Sequence, residues 1–236
     1  LSCANWAHAF AGSDPKDAST LVEKLNLRPR GPKPRIGLLK EAFEVNKATE
    51  CQRAYDAALQ VFFFFFYETV EVAYPAMTYG LAVGIIVDAE GASAHEQFIR
   101  SDRLHKLPDK QQAAGLLASL TVPATDYLWA LRFRTEALKA NAIWEKCDCI
   151  FTPVFLHAAV PADGTFDKTW RNMGGDGGPA NLLGWPSAAF PIGFEDGAPL
   201  GAQVIAPAYR EDVCVRVARD FQRETDWHKR IPAQAE

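Results

Sequence analysis

Ser187-Ala188-Ala189-Phe190-Pro191-Ile192-Gly193-Phe194 is one apolar run, Leu200-Gly201-Ala202-Gln203-Val204-Ile205-Ala206 is another, and Glu195-Asp196-Gly197-Ala198-Pro199 joins them. Asp-Gly between two such runs favours a tight reversal, because both residues tolerate the backbone twist that a two-residue turn between antiparallel strands requires. A β-hairpin is predicted. Beyond it, Glu211 and Asp212 stand at the positive end of a predicted helix whose buried stripe is Cys214, Val217, Ala218 and Phe221. Before it, Asn181-Leu182-Leu183-Gly184-Trp185-Pro186 follows a stretch from His157 to Pro179 that is rich in Gly, Asp and Pro. A loop that long inside a compact domain is uncommon and is often functional.

Further upstream, Cys149-Ile150-Phe151-Thr152 reads as a strand that stops at Pro153. A long amphipathic helix begins at Thr125, after Pro123, with Leu128, Leu131, Thr135, Leu138 and Ala142 predicted on its buried stripe. From Met77 to Leu120 the pattern is helical but is expected to be cut into pieces by Gly80, Gly84, Gly91 and Gly115. Arg35-Ile36-Gly37-Leu38-Leu39 is a predicted strand. From about Asn46 the positions Cys51, Ala54, Tyr55, Ala58, Leu59 and Phe62 step by three and four, and Val70, Val72 and Tyr74 then alternate. This unit is strand, helix, strand. The five phenylalanines Phe62 to Phe66 read either as a fully buried helix end or as a placeholder for residues whose identity is not known; as a real, exposed segment they would favour aggregation. Leu1, Ala4, Ala7 and Phe10 have helical spacing, Gly12 to Asp17 is turn-like, and Arg28 to Pro34 is a basic, Pro-rich connector.

The composition is that of a globular chain: 236 residues, 48% hydrophobic, 23% charged and a net charge of -4. At this length roughly 70% of the unfolded chain's surface can be buried, so a core needs no disulfide or metal staple. Lys and Arg form no dense cluster, which argues against nucleic acid and anionic membrane as direct partners. No apolar run approaches the about 20 residues of a membrane-spanning helix, and the first residues lack the order of a signal peptide. A cytoplasmic protein is expected. Five scattered cysteines, with Cys147 and Cys149 at a helix-to-strand junction, read as reduced and structural rather than metal-binding.

The ordered string from Asn181 to Pro232 resembles the C-terminal part of the amidase signature family. The pieces are Asn181-Leu182-x-Gly184-x-Pro186, Pro191-x-Gly193, Asp196-Gly197-x-Pro199, Gly201-x-Gln203-Val204-Ile205, and Asp226-Trp227-His228-Lys229-Arg230 after a helix. Ala11-Gly12-Ser13-Asp14-Pro15-Lys16-Asp17, Pro34-Arg35-Ile36-Gly37 and Cys149-Ile150-Phe151-Thr152-Pro153 extend the resemblance over nearly the whole chain. It implies an α/β fold, a mixed β-sheet flanked by helices, with residues 1–236 forming the C-terminal portion of a single amidase-like domain. It also implies Ser/Ser/Lys chemistry, in which one Ser attacks the amide carbonyl while the Lys moves protons.

The Gly-Ser-rich segment that holds both serines in that family has no counterpart here. Gly174-Gly175-Asp176-Gly177-Gly178 contains no Ser, and the family's order places the triad ahead of Leu1. The expectation is therefore the C-terminal half of an enzyme that cleaves a small carboxamide to acid and ammonia, inactive alone, with no catalytic residue, no metal and no cofactor of its own. Its partners are expected to be a small amide substrate and the N-terminal half or another chain, with homo-oligomers possible. A catalytically silent structural or interaction module, and the transamidase subunit of a tRNA-dependent amidotransferase, are the alternatives. The resemblance further implies that the segment before Asn181 lines a substrate channel, making Trp170, Met173 and Asp176 the substrate-binding candidates. Asp176 and its glycines read equally as a backbone nest for an anion or as a loop tip. Asn181 is expected to tie the loop to the following strand.

Other constellations are weaker. Ser13-x-x-Lys16 has the spelling of a penicillin-recognising motif but lacks its partners, and Pro15 predicts a turn. Ser93 and His95, two apart on a helix, point to different faces and read as surface residues. His8, His105, His157 and His228 are dispersed, without the spacing of metal ligands.

Overall fold

In the computed structural model, which describes residues 2–18, 20–22, 25–39, 50–65, 67–155, 158–159, 177–195 and 197–230, five strands form one mixed sheet. They are β1 (Ile36–Leu39), β2 (Thr69–Val72), β3 (Cys149–Pro153), β4 (Ser187–Glu195) and β5 (Ala198–Ile205), in the spatial order β2-β1-β3-β5-β4. β1 runs parallel to both β2 and β3, whereas β5 is antiparallel to β3 and β4. The helices are α1 (Ser2–Phe10), α2 (Glu50–Phe64), α3 (Tyr79–Ile99), α4 (Lys110–Ser119), α5 (Ala124–Ala140), α6 (Ile143–Lys146), α7 (Gly177–Leu183) and α8 (Glu211–Glu224). The chain divides into two units: Leu1–Ala73 with Ile143–Ala159 and Gly184–Glu236, and Tyr74–Ala142 with Val160–Leu183.

The hairpin forms as its turn chemistry dictates. Glu195 pairs with Ala198 across the reversal, and Gly197 takes φ +83°, a backbone angle that costs Gly little. The register shifts between Pro191 and Gly193, so Ile192 is the extra residue of a bulge. Pro191 lacks an N–H and is tolerated because β4 is an edge strand.

The main core lies in the first unit, where α2 and α8 cover one face of the sheet. Tyr55 and Phe62 of α2 meet Phe151 of β3, stacked at 4.7 Å and edge-on at 5.0 Å, and Phe221 of α8 sits 5.1 Å from Phe190 of β4. The Tyr55 hydroxyl donates to the Phe151 carbonyl at 2.5 Å, so the one polar atom this ring buries is satisfied. The predicted stripes of α2 and α8 are the observed ones. The phenylalanine run is not wholly buried, contrary to expectation. Phe62 is fully buried, Phe65 half so, and Phe63 and Phe64 are 45% and 70% exposed. Successive helical residues turn by about 100°, so one sheet-facing stripe cannot hold neighbours in sequence.

Two further expectations fail in the second unit. Gly80, Gly84 and Gly91 do not break the chain; they lie inside the 21-residue α3, whose single non-helical residue is His95 (φ −110°, ψ 15°). Each interior Gly costs about 1 kcal/mol relative to Ala, which packing of the whole helix outweighs. The interruption falls instead before Asp109, whose Oδ1 caps α4 by accepting from the N–H groups of Gln111 and Gln112 at 2.8 and 3.0 Å. On α5 the buried residues are Ala130, Phe133 and Ala137, while Leu128, Thr135 and Leu138 are exposed and Ala142 lies past the helix end. Phe133 meets Tyr79 of α3 edge-on at 6.1 Å, and the two alanines on its face let the helices approach closely.

Candidate functional site

Phe151, Val204, Ala188, Ala202 and Phe190 point into the core, so the alternation of strand side chains sends Thr152, Gln203, Ser187 and Ala189 to the opposite face. Thr152 pairs in register with Gln203, and Gln203 with Ala189. Thr152 and Gln203 are buried, Ser187 is exposed, and the Ser187 hydroxyl lies 3.5 Å from Gln203 Oε1. This polar row can accept and donate hydrogen bonds. It holds no base. Among the described residues, no serine hydroxyl is bonded to a His, Lys or carboxylate: Ser101, just past α3, donates to the Phe98 carbonyl, and Ser119 donates to the Leu116 carbonyl of its own helix. Nothing there converts a hydroxyl into a nucleophile at neutral pH.

The thiols are no better placed. Burial pushes Cys51 up to about 11 and Cys147 and Cys214 up to about 12, and Cys149 is also raised well above the ordinary thiol value by burial. All four stay protonated at neutral pH, and only the thiolate is reactive. Cys3 alone is exposed. Among the described residues, no three His, Cys, Asp or Glu side chains group as a metal site would require.

Trp170, Met173 and Asp176, the substrate-binding candidates, lie outside the described residues, as does His157. Downstream of them α7 packs on α3 and α5 within the second unit. Gly184 follows α7 at φ +68°, the left-handed stop that glycine provides. Asn181 is exposed on α7, and the loop that it is expected to tie to the following strand lies outside the described residues. Ser13-x-x-Lys16 is a turn, with Lys16 N–H donating to Asp14 Oδ1 at 2.9 Å and Asp14 bridging Asp17. Ser93 and His95 are both exposed on α3. Gln203 carries the sequence signal for the polar row: one amide inside Ala202-Gln203-Val204-Ile205 marks a face that hydrophobic burial alone does not explain.

A mixed sheet with helices packed on it, its last two strands a bulged hairpin, is the α/β architecture of the amidases. Residues 2–215 match the sequence model of the Amidase family, and the chain belongs to that family. A glutamyl-tRNA(Gln) amidotransferase subunit of Gloeothece citriformis is 28% identical over 265 aligned residues, covering 95% of this chain and 53% of that protein. The same subunit of the Thermus thermophilus enzyme is 28% identical over 253 residues, covering 92% and 52%. Among solved structures, the peptide amidase PAM in complex with chymostatin superposes with a TM-score of 0.71 at 20% identity, over 98% of this chain and 53% of its own. The corresponding glutamyl-tRNA(Gln) amidotransferase subunit from Thermotoga maritima superposes with a TM-score of 0.69 at 20% identity, over 91% and 48%. The chain spans about half the length of the curated relatives it matches. Among the described residues, no helix is long and apolar enough to cross a membrane.

Proposed function

We propose that this chain is the C-terminal portion of a single-domain, cytoplasmic amidase signature hydrolase that cleaves a small carboxamide to carboxylic acid and ammonia. The attacking serine, the second serine and the lysine come from polypeptide that precedes it, as does the oxyanion hole. The observation that carries this reading is the combination of a family match over residues 2–215 with a described chain that contains no activated nucleophile. In this assembly the chain supplies the hairpin side of the sheet, and Trp170, Met173 and Asp176 shape the substrate channel without taking part in the attack on the carbonyl. No metal or organic cofactor takes part.

Two preparations test it: the 236-residue chain, and the same chain joined to an amidase N-terminal half. The joined protein should release ammonia from a carboxamide and react with a serine-directed fluorophosphonate, and the chain alone should do neither. Turnover by the chain alone at the rate of the joined protein would sink the proposal. A second reading is favoured by the names of the curated relatives, which are subunits of glutamyl-tRNA(Gln) amidotransferases. On that reading an acceptor held by a partner subunit takes the released ammonia. A joined protein whose turnover requires such a partner, with the ammonia recovered in the acceptor rather than free in solution, would select it over the simple hydrolase.

A further inference from the structure

The connector ahead of β1 is drawn back onto α8 by its own cations. Arg216 Nη1 on α8 donates to the carbonyls of Pro32 and Gly31 at 2.7 and 3.2 Å. Arg30 Nη2 lies 3.3 Å from Asp212 Oδ1 and 3.4 Å from the Tyr209 carbonyl, and Arg210 Nε reaches the same Asp212 Oδ1 at 3.0 Å. Between connector and helix is a cleft of about 300 Å³ lined by Arg30, Lys33, Asp148, Arg210, Asp212 and Arg216. That is the lower end of the size range of small-molecule sites, about 300–1,000 Å³.

Four cations therefore face two carboxylates, on a chain whose net charge is -4. Both carboxylates are already engaged. Asp212 is buried between Arg30 and Arg210, and Asp148 accepts the Arg35 N–H at 2.7 Å with Arg35 Nε 3.8 Å away. The guanidinium groups are not exhausted. Each has five N–H donors in a planar fork, and Arg216 uses only Nη1 and Arg30 only Nη2 for acceptors among the described residues. Lys33 holds the Phe65 carbonyl and lies 5.3 Å over the Tyr67 ring, so it adds positive charge to the wall without needing to move.

We propose that this cleft binds a phosphate group, with the open edges of Arg30 and Arg216 gripping its oxygens and Lys33 and Arg210 supplying field. One edge of each fork fastens the connector and the other faces the ligand, so phosphate binding also strengthens the clasp between connector and α8. The phosphate belongs either to the free inorganic ion or to a nucleoside monophosphate.

Calorimetric titration of the full chain with inorganic phosphate, at ionic strength held constant with sodium chloride, tests this. Saturable one-to-one binding is expected, and Arg216→Gln should weaken it at least about tenfold, since a charged bidentate contact is lost. Arg30→Lys keeps the charge opposite Asp212 but loses the fork; it should also weaken binding, and it serves where Arg216→Gln fails to fold. Adenosine 5′-monophosphate binding more tightly than phosphate, in competition with it, would assign the ligand to the nucleotide, and equal affinity to the free ion. Heats no larger than those given by added chloride, or affinity unchanged in the folded variants, would overturn the proposal.

Discussion

Asp212 is a carboxylate with almost no contact with water, yet it is charged. Burial favours its neutral form, but the hydrogen bond and charge of Arg210, and then those of Arg30, outweigh that and hold the carboxyl below its ordinary range. The folded chain thus ionises Asp212 more readily than the unfolded chain, whose carboxyl titrates near about 3.9. Its contribution is complete above that value and is lost as the pH falls through the folded one. Asp212→Asn should lower stability by about 1.5–3 kcal/mol at pH 7, the scale of hydrogen bonds to charged groups, and the penalty should shrink toward pH 3. Denaturant titrations at both pH values check it. The cysteines give a second residue-scale prediction. An aromatic disulfide reagent at pH 7.5 should titrate one thiol quickly, Cys3, and the other four only on unfolding. A second fast thiol in the native protein would contradict the burial described for Cys51, Cys147, Cys149 and Cys214.

Among the elements, glycine acts through proximity rather than through flexibility. A Cβ on Gly37 of β1 would lie 2.7 Å from Cys147 Sγ and 2.9 Å from Val72 Cγ2, and one on Gly193 would lie 3.0 Å from the Cβ of Ala54 on α2. Gly37→Ala should therefore cost about 1–3 kcal/mol, the price of overpacking, and Cys147→Ala in the same chain should recover part of it. Paired thermal melts measure both. Where a signal is local, the sequence carries it: Asp196-Gly197 between apolar runs yields the hairpin, and the three-and-four spacing of Cys51, Tyr55, Ala58 and Phe62 yields the buried stripe of α2. The face of α5 was not legible, because leucine outranks alanine in hydrophobicity while the neighbouring helix selects Ala130 and Ala137 for their small size. Likewise the Arg28–Pro34 stretch reads as a connector, and nothing nearby in sequence points to Arg216, more than 180 residues away, as its clasp. The polar row of the sheet was visible only as Gln203. Trp170, Met173 and Asp176 rest on resemblance.

For the molecule as a whole, the edges matter most. β4 presents nine residues at one end of the sheet with no neighbour beyond it among the described residues, and β2 closes the other end. Trp6 and Phe10 stack at 5.7 Å on the exposed surface of α1, and Phe64 is exposed at the end of α2. An unpaired edge and uncovered aromatic rings favour association. The isolated chain is expected to self-associate at micromolar concentration, and light scattering should give a mass above that of one chain. A stable monomer under those conditions would count against a missing complementary half.

The position of β3 has a consequence for how the molecule is made. It pairs with β1 on one side and β5 on the other, strands that lie more than 100 positions before it and nearly 50 after it. The ribosome therefore releases the outer parallel pair first, then the entire helical excursion, and the central seat of the sheet stays without its second neighbour until Ile205 has emerged. Long-range closure of this kind is slow, in the millisecond-to-second regime or beyond, and a chain stopped anywhere short of β5 would leave β3, buried along its whole length, waiting for company.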